Sequence, residues 1–234
     1  MPPHSSLLTP HGFFVTGTDT GVGKTLISCA LLSAFRAEGK TAIGMKPVAT
    51  GCVRSAEGLL SEDALLLRGA SSRQLPIHLI NPYAFAPPIA PHIAAQAAEV
   101  RIELDRITAA YSELARVCDV VVIEGVGGFR VPLNEQEDIA DLAARLALPI
   151  VLVVGMRLGC FNHALLTVDA IAARRLEFAG WIANRIDPSM AAFSENVGAL
   201  KERIPFPCLG VFDFDPRASP EALAKRLKPS LWLA

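Results

Sequence analysis

The segment with the clearest chemical potential is glycine-rich, Gly17-Thr-Asp-Thr-Gly-Val-Gly-Lys24-Thr25, between an apolar run and a helical pattern. Backbone N–H groups in such a turn, with the positive end of a helix dipole behind them, bind phosphate. The ammonium of Lys24 is expected to reach the β- and γ-phosphates of a nucleotide, and the hydroxyl of Thr25 to bind Mg²⁺. The predicted nucleotide contacts are Thr18, Asp19, Thr20, Gly21, Val22, Gly23, Lys24 and Thr25.

The spacing of this loop departs from the usual pattern. Five residues separate Gly17 from Gly23, where four are usual, so the strict motif fails. A glycine-rich turn without a ligand is therefore an alternative interpretation. The strand pattern before the loop, the helix pattern after it and the adjacent Lys-Thr pair favour phosphate binding.

Three charged residues farther along the chain could complete a site for phosphoryl transfer. Lys46 ends the second apolar run, where a second cation could stabilise charge on the transferring group. Glu124 ends the run DVVVIE, and Asp63 lies in the first turn of a predicted helix. The two carboxylates and the hydroxyl of Thr25 form the kind of oxygen ligand set that Mg²⁺ prefers. Lys46 and Asp63 also have a structural interpretation, because exposed lysines are common at strand ends and acids are favoured at helix N-termini.

Further candidates lie in loops and at late strand ends. Thr50 follows Lys46 in a loop that could touch a substrate, and Gly127 would let the backbone approach a ligand closely. The N–H groups of residues 155–162 (GMRLGCFN) could hold a carboxylate, or the segment could be an ordinary loop. The amide of Asn184 could read an adenine edge or cap a turn, and Phe212 could add to a base pocket.

Alternating apolar runs and helical patterns place these residues on a common framework. Runs that are apolar on both faces and separated by helices predict a parallel sheet covered on both sides, a three-layer, doubly wound α/β fold in one domain spanning residues 1–234. The predicted strands span 12–17, 41–46, 119–124, 150–154, 178–184 and 209–212. The predicted helices span 24–38, 61–68, 101–117, 138–146, 162–175, 189–203 and 220–227.

This framework brings the candidate residues together. Ligands of such sheets bind outside the carboxyl ends of the strands, so Gly17, Lys46, Glu124, Gly155 and Asn184 are expected along one edge. The proline-rich segment NPYAFAPPIAPH is too apolar for a free linker, and we expect an ordered loop packed near the sheet edge.

Composition excludes several classes of function. The 234 residues are 51% hydrophobic, and 22 Lys and Arg oppose 23 Asp and Glu without a basic stripe, which argues against nucleic-acid binding. Five scattered cysteines without a CxxC pair do not predict disulfides or a zinc site, and Cys160 is interpreted as a packing residue. No apolar run has membrane-spanning length, and the N-terminus lacks the features of a secretory signal. A cytoplasmic location is expected.

Several motifs together resemble one known family. GTDTGVGKT, KPVATG, EGVGGFRVPL, LGCFNHALLT and GWIANR follow in this order, with NPYAFAPPIAPH between the second and the third. From about Phe13 to about Gly210 the chain resembles the dethiobiotin synthetase family, whereas the residues after Phe212 match poorly. The resemblance implies that ATP, CO₂ and diaminopelargonic acid form dethiobiotin through a carbamate and a carbamic-phosphoric anhydride.

The resemblance also implies roles for matched positions and a homodimer whose site is shared between subunits. Lys24 and Lys46 would hold the charge of the transferring phosphoryl group. Thr18 and Thr50 would contact phosphate or carbamate, Asn184 would read adenine, and Mg²⁺ would bind to Thr25, Asp63 and Glu124. The substrate carboxylate would be held from the partner subunit by Gly159, Cys160, Phe161 and Asn162. The sequence departs from the family at Gly21, where a relative has Glu, and at Asn196, where that relative has an aromatic residue.

Other functions remain open at the level of sequence. Another ATP-dependent amidoligase or cyclo-ligase on this fold would keep Lys24, Thr25 and Glu124. A partition-type ATPase would carry an additional lysine early in the phosphate loop, where this chain has Thr-Asp-Thr at 18–20. A small-molecule kinase would need a lid rich in arginine, for which the only candidates are Arg54, Arg68 and Arg73.

Overall fold

The computed structural model describes residues 11–232. The expectation about a secretory signal concerns residues 1–10, which lie outside this range, as do the two ends of the predicted domain. Within the described range, no helix combines the length and the apolar character needed to cross a membrane.

Residues 11–232 contain ten strands, of which six form the central sheet and four form two small two-stranded sheets. Helices connect the strands of the central sheet. The strands are β1 (His11–Gly17), β2 (Ala42–Met45), β3 (Val48–Ala49), β4 (Val53–Ser55), β5 (Gly58–Leu60), β6 (Tyr83–Ala84), β7 (Val120–Glu124), β8 (Ile150–Met156), β9 (Phe178–Arg185) and β10 (Cys208–Phe212). The helices are α1 (Lys24–Ala37), α2 (Glu62–Ala70), α3 (Ile77–Ile80), α4 (Pro91–Ala97), α5 (Leu104–Ala115), α6 (Ile139–Leu146), α7 (Cys160–Ala173), α8 (Phe193–Arg203) and α9 (Pro220–Ala224), followed by a 3₁₀ turn over Pro229–Trp232.

The central sheet is parallel throughout, with strand order β10-β9-β8-β1-β7-β2. All residues of β7 and β8 are buried. Strands buried on both faces are typical of parallel sheets that helices cover on each side. The strand composition therefore predicted the sheet type correctly.

Side chains alternate across the sheet and define two cores. Phe13 and Val15 of β1 point to a core that they share with α1 and α9, whereas Phe14 points to the opposite core, which includes residues of α5, α6, α7 and α8. The chain thus has helices on both faces of a parallel sheet. This arrangement confirms the predicted three-layer, doubly wound α/β fold.

Two predicted helices begin several residues later than expected: α5 begins at Leu104 instead of residue 101, and the difference is larger for α8. The pattern predicted a helix from residue 189, but α8 begins at Phe193. The carboxylate of Asp187 accepts hydrogen bonds from the Ser189 amide (2.8 Å) and hydroxyl (2.6 Å), which forms a turn instead of a first helical turn.

Short elements near the sheet edge were not predicted. The segment 81–92 contains β6 and the start of α4, and β6 pairs in parallel with β3. The side-chain amide of Asn81 donates to the carbonyls of Lys46 (2.7 Å) and Tyr83 (2.9 Å), while the amide of Lys46 donates to the carbonyl of Ile80 (2.8 Å). Hydrogen bonds therefore hold the start of the proline-rich segment against Lys46, the residue that follows β2.

Candidate active site

The glycine-rich segment forms a loop between β1 and the N-terminus of α1. Gly21 and Gly23 have φ values of 73° and 91°, in the left-handed region that favours glycine. A Cβ atom at Gly23 would lie 2.3 Å from Nδ2 of Asn184. The amide of Thr18 donates to the carbonyl of Val153 (3.0 Å), which joins the loop to β8. The contact with Asn184 therefore leaves no room for a side chain at residue 23, whereas the backbone at residue 21 favours glycine by its φ value alone.

Lys24 is buried inside this loop, with 6% of its surface exposed. Its Nζ donates to the backbone carbonyl of Asp19 at 2.8 Å. Burial, and next the positive charge of Lys46, lower the pKa of Lys24 to about 8. A bound phosphate would relieve both effects, because an adjacent anion favours the charged form of the amine.

Four side chains from four different segments meet beside the loop. Nζ of Lys46 lies 2.5 Å from Oε1 of Glu124 and 2.9 Å from Oδ2 of Asp63. The hydroxyl of Thr25 lies 2.9 Å from Oδ1 of Asp63 and 3.0 Å from Oε1 of Glu124, and its single hydrogen can be donated to only one of them. The strand ends have thus brought together the residues that the sequence indicated.

The charges in this cluster stabilise one another. Burial by itself lowers the pKa of Lys46, but the negative charges of Glu124 and Asp63 outweigh it, so this pKa lies above its ordinary value. Burial by itself raises the pKa of Asp63, but the charge and hydrogen bond of Lys46 outweigh it and hold this pKa below its ordinary value. Lys24 differs from Lys46 because its ammonium bonds to a neutral carbonyl instead of a carboxylate.

The cluster fits a divalent cation. Glu124 is 1% exposed, and its buried Oε2 has no hydrogen-bond partner among the described residues. An unpaired buried carboxylate oxygen is unfavourable, and a cation would satisfy it. Across residues 11–232, no group of three or more His, Cys, Asp or Glu side chains is arranged to hold a metal. A cation here would instead need the two carboxylates, the hydroxyl of Thr25 and oxygens of a bound phosphate, which suits Mg²⁺.

A cavity of about 730 Å³ opens beside these groups. Its lining includes more than half of the site residues that the sequence predicted: Thr20, Gly21, Gly23, Lys24, Thr25, Lys46, Thr50, Asp63, Glu124 and Gly127. One wall is apolar and was not predicted: Ala49, Pro88, Ile89, Ala90, Pro91, Val126 and Val131. The apolar, proline-rich composition of 81–92 was the available signal for this wall, but composition does not show which way a loop faces.

Five predicted nucleotide contacts do not line the cavity. The hydroxyl of Thr18 accepts a hydrogen bond from the amide of Gly155 (3.2 Å), and the side-chain amide of Asn184 donates to the carbonyl of Val22 (2.9 Å). Phe212 lies opposite Asn184 in the β9–β10 register and is 2% exposed. Its ring is part of the core, so the side chain does not face a base pocket. Asp19 and Val22, the two remaining predicted loop residues, also do not line the cavity, and the side chain of Val22 is buried in the core.

The segment predicted to hold a carboxylate forms the start of α7. Gly159 has a φ of 90° and precedes the helix, and the amide of Cys160 donates to the carbonyl of Arg157 (3.0 Å). Burial raises the pKa of the Cys160 thiol, as expected of a cysteine that packs and does not react. Gly159, Cys160, Phe161 and Asn162 do not line the cavity.

The parallel sheet and the glycine loop at a helix N-terminus define the class of protein, a phosphate-loop nucleotide-binding protein. A family model described as an AAA domain matches residues 11–222. Solved structures with the same fold include a ParA family ATPase from Chlorobium tepidum (TM-score 0.56, 14% identity, covering 93% of this chain and 90% of that chain). Another is the septum site-determining protein MinD from Pyrococcus horikoshii (TM-score 0.55, 14% identity, 95% and 88%). At these identities the likeness shows the fold alone.

Curated relatives identify the particular protein family. The ATP-dependent dethiobiotin synthetase BioD of Nitrosospira multiformis is 55% identical over 204 residues, which cover 87% of this chain and 88% of the relative. The protein of the same name from Aromatoleum aromaticum is 54% identical over 219 residues, covering 94% and 97%. The chain belongs to the ATP-dependent dethiobiotin synthetase family, as the resemblance in the motifs predicted.

Proposed function

We propose that this chain uses ATP to close diaminopelargonic acid and CO₂ into the cyclic urea dethiobiotin, a step of biotin biosynthesis. The observation that carries the proposal is the meeting of two lysines, two carboxylates and a hydroxyl at the glycine loop. Lys46 bonds to both Glu124 and Asp63, and all of these groups line one cavity. Family membership supports the substrates, and the cavity supplies a place for them.

The first chemical step transfers a phosphoryl group. A carbamate, formed from one amine and CO₂, attacks the γ-phosphorus of ATP through its oxygen, and the bond to the bridging oxygen breaks so that ADP leaves with the electron pair. Lys24 and Lys46 would stabilise the charge on the transferring group, because fixed cations in a site that excludes water stabilise developing negative charge. Lys24 donates one N–H to the carbonyl of Asp19, and a second N–H would donate to a phosphate oxygen.

The second chemical step closes the ring. The other amine attacks the carbamoyl carbon, the carbon–oxygen bond to phosphate breaks, and the amine loses a proton to give the urea. Both amines belong to the same molecule, so this attack is intramolecular, and holding the amine next to the anhydride favours ring closure over hydrolysis. Thr50 lines the cavity, so its hydroxyl is placed to contact the carbamate, and the apolar wall at Ile89 and Val131 suits an alkyl chain.

Charge balance explains the arrangement of the metal ligands. The charges of Lys24 and Lys46 cancel those of Asp63 and Glu124 when no ligand is bound. Thr25, Asp63 and Glu124 would hold Mg²⁺, which when bound supplies positive charge to the β- and γ-phosphate oxygens. The lysines are then free to face the triphosphate.

We also propose that two copies of the chain share each site. Leu158, in the turn before α7, and Leu166, within α7, are 96% and 60% exposed. A second copy that covers the surface around these two leucines would bring residues 159–162 towards the cavity of its partner. There the N–H groups at the N-terminus of α7, other than that of Cys160, which donates to Arg157, would bind the substrate carboxylate.

Mutation of this surface tests the shared site. Leu166→Asp places a charge in the proposed interface, so we expect monomers in sedimentation velocity and a raised KM for the diamine. Val117→Asp, at a position that is 38% exposed and outside α7, is the matched control. A Leu166→Asp protein that sediments like the parent would refute the proposed interface.

Product analysis tests the reaction. Incubation with diaminopelargonic acid, ATP and ¹³C-bicarbonate should give a urea that carries the ¹³C label, detected by mass spectrometry, and omission of either ATP or the diamine should abolish it. Lys46→Met should give no product. Lys40→Met, at an exposed lysine before β2 and so at the opposite edge of the sheet, should keep the parent rate. ATP turnover that is independent of the diamine and bicarbonate would overturn the proposed substrates.

A further inference from the structure

Arg157 forms a contact that neither the motifs nor the proposed chemistry uses. It lies in the turn between β8 and α7, and its Nη2 is 2.7 Å from Oδ2 of Asp19 in the phosphate loop. The two side chains are each 44% exposed. The ion pair therefore joins the nucleotide loop to the segment that begins α7.

Asp19 is the residue through which this contact reaches the nucleotide. Its Oδ1 accepts a hydrogen bond from the amide of Thr20 (2.7 Å), and its backbone carbonyl accepts one from Nζ of Lys24 (2.8 Å). The ammonium of Lys24 has three N–H donors, so it can donate to this carbonyl and to a phosphate oxygen in the cavity at the same time. A phosphate bound at Lys24 would therefore be one hydrogen-bonded group away from Asp19.

The other end of the contact is a tight turn. The carbonyl of Arg157 accepts a hydrogen bond from the amide of Cys160 (3.0 Å), and Gly159 between them has a φ of 90°. A change in the position of Arg157 would thus alter the first N–H groups of α7. These are the groups proposed to bind the substrate carboxylate.

We propose that Arg157 is a positioning residue that transmits nucleotide binding from Asp19 to the turn at residues 157–160. The contacts form one continuous series from Lys24 through Asp19 and Arg157 to Cys160. Because the turn is proposed to serve the partner subunit, ATP bound to one subunit would prepare the diamine site of the other. Such coupling is reciprocal, so the diamine would also tighten nucleotide binding. The inference rests on the proposed function, since it takes nucleotide binding at the loop as given.

Hydrogen exchange measures this coupling without the diamine. Peptides that cover residues 157–162 would be followed by mass spectrometry with and without Mg²⁺ and a non-hydrolysable ATP analogue. In the parent protein the analogue should change exchange in this turn by about two- to fivefold, the range that an exposed ion pair can transmit. In Arg157→Ala the turn should no longer respond to the analogue. Arg157→Lys, which keeps the charge, should restore part of the response.

Controls separate coupling from a structural role. Arg145→Ala removes an arginine of the same 44% exposure that pairs with Asp105 outside the site, and the response of the turn should persist. Calorimetric titration with the analogue checks nucleotide binding in every protein. If Arg157→Ala speeds exchange of the turn by the same factor relative to the parent protein with and without the analogue, the turn still responds to the analogue. Arg157 then only braces the turn, and the coupling is refuted while the proposed reaction stands. Absence of analogue binding in the parent protein would instead refute the proposed function itself.

Discussion

Replacement of Lys46 by methionine tests the electrostatics of the site most directly. Lys46 is 3% exposed and Glu124 is 1% exposed, so Lys46→Met leaves a carboxylate buried without its closest cation. Removal of one partner of a buried ion pair typically destabilises a protein by about 3–5 kcal/mol. Domains of this kind have a total stability of about 5–15 kcal/mol, so the variant should remain folded but markedly weaker.

A double-mutant cycle separates the ion pair from catalysis. Glu124→Gln together with Lys46→Met removes both buried charges, and the double variant should regain about 2 kcal/mol or more relative to Lys46→Met alone. Turnover should be absent in both, because neither restores the ammonium. Adding Glu124→Gln to Lys46→Met would thus restore part of the lost stability and none of the lost activity.

Urea unfolding followed by circular dichroism gives the stabilities, without nucleotide or Mg²⁺ and near pH 7.5. The pKa of Lys46 is raised on folding, so the contribution of this ion pair to stability is complete below pH 10.5 and is lost as the pH rises through the raised value. The measurement is therefore made where the pair contributes fully. A Lys46→Met protein within about 0.5 kcal/mol of the parent, or a double variant weaker than Lys46→Met, would refute the buried-pair argument.

Three further predictions follow from the same structure. Asp63→Asn should raise the Mg²⁺ concentration for half-maximal turnover by at least about tenfold, and an unchanged Mg²⁺ titration would remove Asp63 from the ligand set. Gly23→Ala should weaken nucleotide binding at least about tenfold in calorimetry, because it forces a left-handed alanine to within 2.3 Å of Asn184. Gly39→Ala, with a φ of 80° and nothing within 4 Å of the added Cβ, should leave binding unchanged. Burial raises the pKa of Cys29 to about 12, so its thiol should resist iodoacetamide at pH 8 in the native protein and react in guanidinium. Rapid native labelling of the Cys29 peptide would contradict this burial.

The central framework could be predicted because local composition and burial agree there. β7 and β8 are apolar on both faces, which only a sheet covered on both sides accommodates, and each predicted strand has a counterpart in the sheet. Elements that depend on distant partners were missed. The pairing of β3 with β6 is accompanied by a hydrogen bond from the Asn81 side chain to the carbonyl of Lys46. Strands of two residues are too short to show a periodic pattern, so the sequence did not predict this pairing.

The polar half of the site followed from the same reasoning. Lys46 and Glu124 were expected to lie close together because the carboxyl ends of parallel strands share one edge of the sheet. Nζ of Lys46 lies 2.5 Å from Oε1 of Glu124. The apolar wall at Pro88–Pro91 and the contact between Arg157 and Asp19 did not follow. Each joins segments that are far apart in the chain, and side-chain direction in a loop depends on packing that the sequence does not display.

The sequence by itself determined the succession along the chain of the six sheet strands and the longer helices. It also determined the loop that can bind a phosphate and the residue types that can transfer one. It could do so because glycine conformation, helix dipoles and apolar periodicity act over a few neighbouring residues. Only the tertiary structure decided that Lys46 is neutralised by two carboxylates, that one buried oxygen of Glu124 has no partner within residues 11–232, and that Asp19 is paired with Arg157. These features depend on distances between segments as much as 138 residues apart, which are set by how the sheet and its loops pack.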